Sequence, residues 1–279
     1  MLKNVPVRSM HHDGLTIEGY SRAAVQTYWR IAELKLGFDL GAHPWDFMGT
    51  PFWLLTHCHL DHIAALPLYV ARRRLMKMEP PTIILPKYAV SAVRNMLDSF
   101  TPLDRGKFPC QLVGMEGGER YDLTREIVIQ AFDVDHRIPS LGYIVNDRRR
   151  KLKLEYAELN GDEIRDLRGQ GIDVTNEVLV PLVGYTGDTS PKGLDRNPEF
   201  YDAKVLIAEM TFLAHDHQRQ YIHKNGHMHL EDFVERQDEF RNEVVIASHF
   251  STRYSRAEAE RLVQKRLPDM LGGRLVLWL

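Results

Sequence analysis

The segment Thr56-His57-Cys58-His59-Leu60-Asp61-His62 constrains this chain more than any other. It follows the apolar run from Pro51 to Leu55 and precedes the apolar pattern of Ile63, Leu66, Leu68 and Val70. That context predicts a buried strand, a turn and a helix. Such a turn lets His57 and His59 point to one metal ion while Asp61 and His62 point to a second, about 3.5–4 Å away. Zinc suits imidazole with carboxylate, and no soft sulfur set competes; iron or manganese fits the same geometry. Cys58 falls on the alternate side of the chain and is expected to pack away from the metals.

Two metals need more ligands than one turn supplies. Three later positions are candidates, each at a predicted strand end: His136 in Asp133-Val134-Asp135-His136, Asp188 in Tyr185-Thr186-Gly187-Asp188-Thr189, and His249 in Ala247-Ser248-His249-Phe250-Ser251. Gly187 lets the backbone approach the metals closely. Five of the 13 histidines of the chain, His57, His59, His62, His136 and His249, fall in these motifs.

Composition narrows the class. Hydrophobic residues at 44% and charged residues at 27% suit a soluble globular protein with a sizeable core. A formal net charge of −2 argues against wholesale electrostatic capture of nucleic acid, though it leaves room for a local basic patch. Cys58 and Cys110 are too few for a disulfide framework and fit a reducing cytoplasm. The opening Met1-Leu2-Lys3-Asn4-Val5-Pro6 has no apolar leader, and no run is long enough to span a membrane. A cytoplasmic protein is expected.

Strands are expected at Leu15–Tyr20, Gln26–Trp29, Leu36–Leu40, Thr82–Leu85, Ile127–Phe132, Leu141–Val145, Val178–Tyr185, Lys204–Ala208, Val244–Ala247 and Arg274–Trp278. Helices are expected from the metal turn to Met78, then over Val90–Phe100, Asp162–Leu167, His229–Phe240 and Arg256–Leu267. Strands and helices alternate in two similar halves, with ligand-type residues at strand ends in both. The pattern predicts one α/β (α+β) domain over 1–279: an αββα sandwich of two mixed sheets packed face to face, helices outside, and the site at one edge.

The turn His-x-His-x-Asp-His, followed by a separated His136, Asp188 and His249, resembles the metallo-β-lactamase superfamily. Within it, the chain resembles the short plant-type tRNase Z enzymes and their bacterial relatives. The matching residues are His136 with Ser140-Leu141-Gly142-Tyr143, Gly187-Asp188-Thr189, Glu209-Met210-Thr211-Phe212, Gly226-His227-Met228-His229, and His249-Phe250-Ser251-Thr252-Arg253-Tyr254. The likeness also takes in Leu154-Glu155-Tyr156 and Gly161-Asp162-Glu163-Ile164, and so covers nearly the whole chain. It implies one zinc on His57, His59 and His136, another on Asp61, His62 and His249, and Asp188 bridging them. It further implies a hydroxide shared by the two ions that attacks phosphorus in line, with Asp61 orienting it and accepting its proton. Glu209 and His227 match the pair that protonates the leaving 3′ oxygen in this family. The other reading of Glu209 gives it only the fixing of a ligand. His229 is expected to start a helix and cap it, and Asp39 to bond the backbone of the metal loop.

The implied activity is cleavage of the 3′ trailer from tRNA precursors, with precursor tRNA as partner and a homodimer as assembly. A hydrolase of a small phosphodiester, lactone or thioester would use the same metals. The likeness thins over 146–176, where a short basic and acidic insertion replaces the tRNA-gripping arm. Arg148, Arg149, Arg150, Lys151 and Lys153 there could pair with RNA phosphates or form a solvated hairpin that protects an edge. Arg72, Arg73, Arg74 and Lys77 read as the wet face of a helix.

Overall fold

The computed structural model describes residues 5–214 and 218–279; Met1 to Asn4 of the opening segment lie outside them. The first half of the chain forms β1 (Arg8–His12), β2 (Leu15–Arg22), β3 (Gln26–Ile31), β4 (Leu36–Phe38), β5 (Phe52–Leu54), β6 (Thr82–Pro86) and β7 (Gln111–Met115). These strands lie side by side in sequence order in one seven-stranded sheet. The second sheet holds β8 (Arg120–Asp122), β9 (Ile127–Val134), β10 (Ser140–Leu152), β11 (Thr175–Tyr185), β12 (Val205–Glu209), β13 (Val244–Ser248) and β14 (Leu275–Leu277), again in order. Both sheets are mixed: antiparallel from β1 to β4 and from β8 to β11, parallel from β4 to β7 and from β11 to β14.

Sequence pattern explains which strands sit where. In β2, every second residue from Leu15 is buried and the rest are half-exposed, as suits an outer antiparallel strand with one dry face. Every residue of β12 and β13 is buried, because these parallel strands are covered on both sides.

The helices are α1 (Leu60–Ile63), α2 (Leu66–Leu75), α3 (Val90–Asp104), α4 (Gly161–Gly169), α5 (Pro191–Arg196), α6 (Arg219–Lys224), α7 (Leu230–Glu235) and α8 (Arg256–Arg266). The buried apolar side chains form three layers. Trp29, Phe38 and Leu54 meet Tyr143, Tyr185, Ile207 and Trp278 between the sheets. Trp53, Leu66, Tyr69 and Leu97 pack α2 and α3 on the first sheet, and Leu206, Phe233, Phe250 and Val263 pack α7 and α8 on the second. The result is the αββα sandwich. Among the described residues, no helix is long and apolar enough to cross a membrane.

Several boundaries differ from the sequence reading. The helix after the metal turn is two pieces, α1 and α2, with a proline in the first turn of α2. Arg73 is not on a wet face: it is buried and donates to the carbonyls of Met48 and Glu79. The helix expected over His229–Phe240 stops at Glu235. Strands β1, β7 and β8 and helices α5 and α6 had no periodic apolar signal strong enough to mark them.

The 146–176 stretch is not a separate loop. Its two ends continue the β10–β11 ladder, paired from Asn146–Pro181 out to Leu152–Thr175, beyond a register shift at Val145/Asn146. Helix α4 lies in the connection and opens with a capping box of Asn160 and Glu163. At about 3.4 Å per residue, Arg148 lies roughly 27 Å along β10 from Ser140, towards the end remote from His136.

Candidate metal centre

The strand ends at one edge of the sandwich deliver the ligand-type residues. His57, His59, Asp61 and His62 follow β5 in the first sheet; His136 follows β9, Asp188 follows β11 and His249 follows β13 in the second. Every expected ligand therefore arrives at one place. His57, His59 and His136 form one group with converging ligand atoms, and Asp61, His62 and His249 another; Asp188 joins His57 and His62. Among the described residues, Cys58 belongs to no such group. It packs against the outer core, and burial pushes its thiol up to about 11.

The spacings suit small hard-to-borderline cations. Asp188 Oδ2 lies 3.5 Å from His62 Nε2 and 3.9 Å from His57 Nε2, while its Oδ1 lies 3.4 Å from His249 Nε2. Asp61 Oδ2 lies 3.6 Å from His249 Nε2 and 3.7 Å from His62 Nε2. His59 Nδ1 and His136 Nε2 are 3.2 Å apart. Ligands 2.0–2.1 Å from a tetrahedral zinc stand about 3.3 Å from one another. The buried Nε2 atoms of His57, His62 and His249 make no hydrogen bond. Each such atom left unsatisfied costs on the order of 1–3 kcal/mol, so three that all face the Asp188 carboxylate fit bound cations.

The outer nitrogens are held, which fixes ring orientation and leaves the inner lone pairs free. His57 Nδ1 lies 3.0 Å from Thr56 Oγ1, His62 Nδ1 2.8 Å from Asp39 Oδ2, and His136 Nδ1 2.8 Å from the Gly226 carbonyl. His249 Nδ1 lies 3.1 Å from Thr211 Oγ1. Asp39 also accepts from the Thr56 amide at 2.8 Å, as expected, and from Tyr185 Oη at 2.7 Å.

The two halves share a construction. In the first, the Asp39 carboxylate holds His62 directly and His57 through the Thr56 hydroxyl. In the second, the Glu209 carboxylate holds His227 directly and His249 through the Thr211 hydroxyl. Asp39 and His249 both adopt left-handed backbone, φ 54° and 58°, which is uncommon for residues other than glycine. Gly187 precedes Asp188 at φ 60°, and a Cβ there would come within 2.7 Å of Thr56. The sequence suggested a close approach to the metals; the close approach seen is to Thr56, at the head of the turn after β5.

Electrostatics follow the geometry. Burial, with help from neighbouring imidazoles, pulls His57 well down and lowers His59; burial also lowers His136. All three lone pairs are available. Burial would lower His62 too, but Asp188 and Asp39 outweigh it and raise it well above the usual range. Burial likewise raises Asp188, yet His249 and His62 hold it well below the ordinary carboxylate range. For His227, burial pulls down but the Glu209 carboxylate prevails, and the imidazole is pushed up to about 9.

Glu209 ties this edge together. Its oxygens accept from the amides of Thr189 (2.7 Å) and Met228 (3.1 Å), from the Thr211 hydroxyl (2.5 Å) and from His227 Nδ1 (3.1 and 3.2 Å). The proton-holding and ligand-fixing readings of this residue are therefore compatible. His229 caps α7 through a capping box with Asp232. Thr56, Thr211 and Tyr185 had no role in the sequence reading. The only available signal was that Thr56 precedes His57 and Thr211 lies two residues after Glu209.

The basic residues of the β10–β11 hairpin are far from this centre and largely paired. Arg148 meets Asp122 at 2.5 Å and Glu177 at 2.9 Å, Arg149 meets Asp147 at 2.7 Å, and Arg150 meets Asp173 at 3.7 Å. Lys153 lies over the Tyr156 ring at 5.9 Å.

No family model matches the sequence. The chain is 35% identical to tRNase Z TRZ1 of Arabidopsis thaliana over 270 residues, 96% of each protein. It is 34% identical to chloroplastic tRNase Z TRZ2 of the same plant, covering 94% of this chain and 73% of the relative. Among solved structures, the metallo-β-lactamase fold protein YhfI of Bacillus subtilis superposes with a TM-score of 0.62 at 14% identity, covering 93% of this chain and 92% of that one. That likeness concerns the fold.

Proposed function

The chain belongs to the tRNase Z family, and on that premise we propose that it is a zinc-dependent endoribonuclease that cuts the 3′ trailer from tRNA precursors. The observation that carries the reading is the convergence of two ligand groups on Asp188, with three buried imidazole nitrogens left for cations. His57, His59 and His136 would hold one zinc; Asp61, His62 and His249 the other; Asp188 both. Bound there, the ions supply positive charge to the phosphate and acidify water near neutral pH.

The chain's own groups do the rest. Asp61, which accepts from the Ala24 amide at 2.9 Å, orients the attacking water and takes its proton through a carboxylate oxygen. As the water oxygen bonds to phosphorus and the bond to the 3′ oxygen breaks, His227 gives its Nε2 proton to that oxygen. Glu209 holds the opposite nitrogen and keeps the ring charged until then. The products are a tRNA with a free 3′ hydroxyl and a trailer with a 5′ phosphate.

The hairpin residues Arg149, Arg150, Lys151 and Lys153 would contact phosphates of the tRNA body, with Arg148 mainly bracing the hairpin. The reading extends to a homodimer, supported by exposed Leu60, Leu68 and Leu75 along α1 and α2, and to a reducing compartment such as the cytoplasm. Gel filtration with light scattering tests the assembly.

The deciding experiment is cleavage of an end-labelled tRNA precursor by zinc-loaded protein, with Asp61→Ala as control. A single metal-dependent cut after the last nucleotide before the trailer supports the reading. Hydrolysis of methyl p-nitrophenyl phosphate with no cut of the precursor would move it to the small-substrate branch.

A further inference from the structure

A cavity of about 490 Å³ opens beside the metal centre, and the mechanism above uses only its wall of His59, His136 and His227. His136 and His227 form its inner wall, Phe212 and Ile222 its apolar sides, and Tyr221 and Asn225 its rim. A second, more polar cleft of about 420 Å³ passes over Asp61, Asp188 and His249 and shares His59, His227, Phe212 and Arg253 with the first. The two divide the labour by chemistry: one offers flat apolar surface with amides, the other offers the donors and charges that a sugar-phosphate strand meets.

The geometry points to the first cavity as a nucleobase pocket that takes the base of the last retained nucleotide, whose 3′ oxygen departs at His227. This rests on the tRNA-processing reading. Tyr221 is the telling residue. It stands 69% exposed on α6, a large aromatic ring spent on no core. A ring at the rim of a cleft is what an unpaired base stacks on, and such stacking tolerates any base. The Asn225 amide nitrogen donates to the Tyr221 carbonyl at 2.7 Å, and its oxygen can accept from a base edge. Exposed Arg137 lies at the mouth, where it can meet a flanking phosphate.

The wall is registered to the reacting centre rather than loosely hung. Gly226, directly after Asn225, adopts φ 72°, and a Cβ there would come within 2.5 Å of His136 Cα. Its carbonyl accepts from His136 Nδ1 at 2.8 Å. The turn that follows the base-stacking helix is thus pressed onto a metal ligand, so a base seated on Tyr221 fixes the distance of its own 3′ oxygen from His227.

The test is a two-by-two comparison of cleavage. Wild-type and Tyr221→Ala proteins are each given a precursor with an ordinary or an abasic last retained nucleotide. Each single change should raise KM roughly tenfold, and the two together should raise it no further than either alone. Tyr221→Phe and Tyr221→Trp should restore the ordinary value. Penalties that multiply, or no penalty from the abasic substrate, would overturn the pocket while leaving the nuclease intact. Failure of the wild-type protein to cut the ordinary precursor overturns the underlying reading and this one with it.

Discussion

Replacing Glu209 with glutamine separates the two duties of that carboxylate. Its four donors are fixed: the amides of Thr189 and Met228, the Thr211 hydroxyl and His227 Nδ1. A glutamine has one oxygen and one NH2 in the same space. Whichever way the amide turns, its NH2 faces one of the two backbone N–H groups. The variant loses a charge-assisted hydrogen bond, about 1.5–3 kcal/mol, and strands a buried donor, about 1–3 kcal/mol. A loss of stability on the order of 3–5 kcal/mol follows, read as a lowered unfolding midpoint. The catalytic effect has a different signature. With Glu209 present, His227 stays protonated up to about 9, so cleavage should fall only as pH rises through that value. Without the carboxylate, burial is opposed only by the charge of Asp188, so the imidazole falls and the descending limb should move to lower pH. The rate at pH 8 should fall roughly a hundredfold. The assay is a pH–rate profile at saturating zinc, beside zinc content and thermal unfolding. A descending limb that stays near pH 9 with a merely lower plateau would refute His227 as the proton donor and leave Glu209 only its structural duty.

Other outcomes follow from the same geometry. Asp188→Ala removes the carboxylate proposed to serve both ions, which stands beside His57 and His62, and is expected to abolish cleavage and zinc binding; full zinc content by atomic absorption would sink the bridging assignment. Zinc should be released as the solution is acidified, because protons raised onto His62 by Asp188 and Asp39 compete with the metal; a pH-independent affinity would contradict this. Gly187→Ala places a Cβ against Thr56 in left-handed backbone and should cost about 1–3 kcal/mol of stability and weaken zinc binding, measured by melting and metal titration. Changing Lys151 and Lys153 to glutamate should weaken precursor binding and flatten its salt dependence, whereas Arg148→Ala should chiefly destabilise the hairpin that Asp122 and Glu177 brace; equal binding losses from both would reverse that division.

The convergence of the candidate ligands was legible because they carry their own chemistry and sit at the ends of strongly apolar strands. His57 through His62 announce themselves by density, and His136, Asp188 and His249 by order. The supporting residues were not legible, since a threonine such as Thr56 or Thr211 gains its meaning only from a partner far away in sequence. Helix α6 was missed for a related reason: of its residues only Ile222 is buried, so it presents no apolar stripe. The basic run of the hairpin was seen as charge, but its pairing was not. Asp122, Glu177 and Asp173 neutralise it across strands or turns that only the ladder brings close.

The distribution of ligands between the sheets has a mechanical consequence. His57, His59, Asp61 and His62 ride on one slab, and His136, Asp188 and His249 on the other, so the centre is a rivet driven through the seam. Its tension is set by how far apart the slabs are held, and that spacing belongs to Trp29, Tyr143, Tyr185 and Trp278 deep in the seam. Trimming one of these distant rings would leave a void that the slabs can close by settling or shearing, and either movement displaces one half of the ligand set against the other.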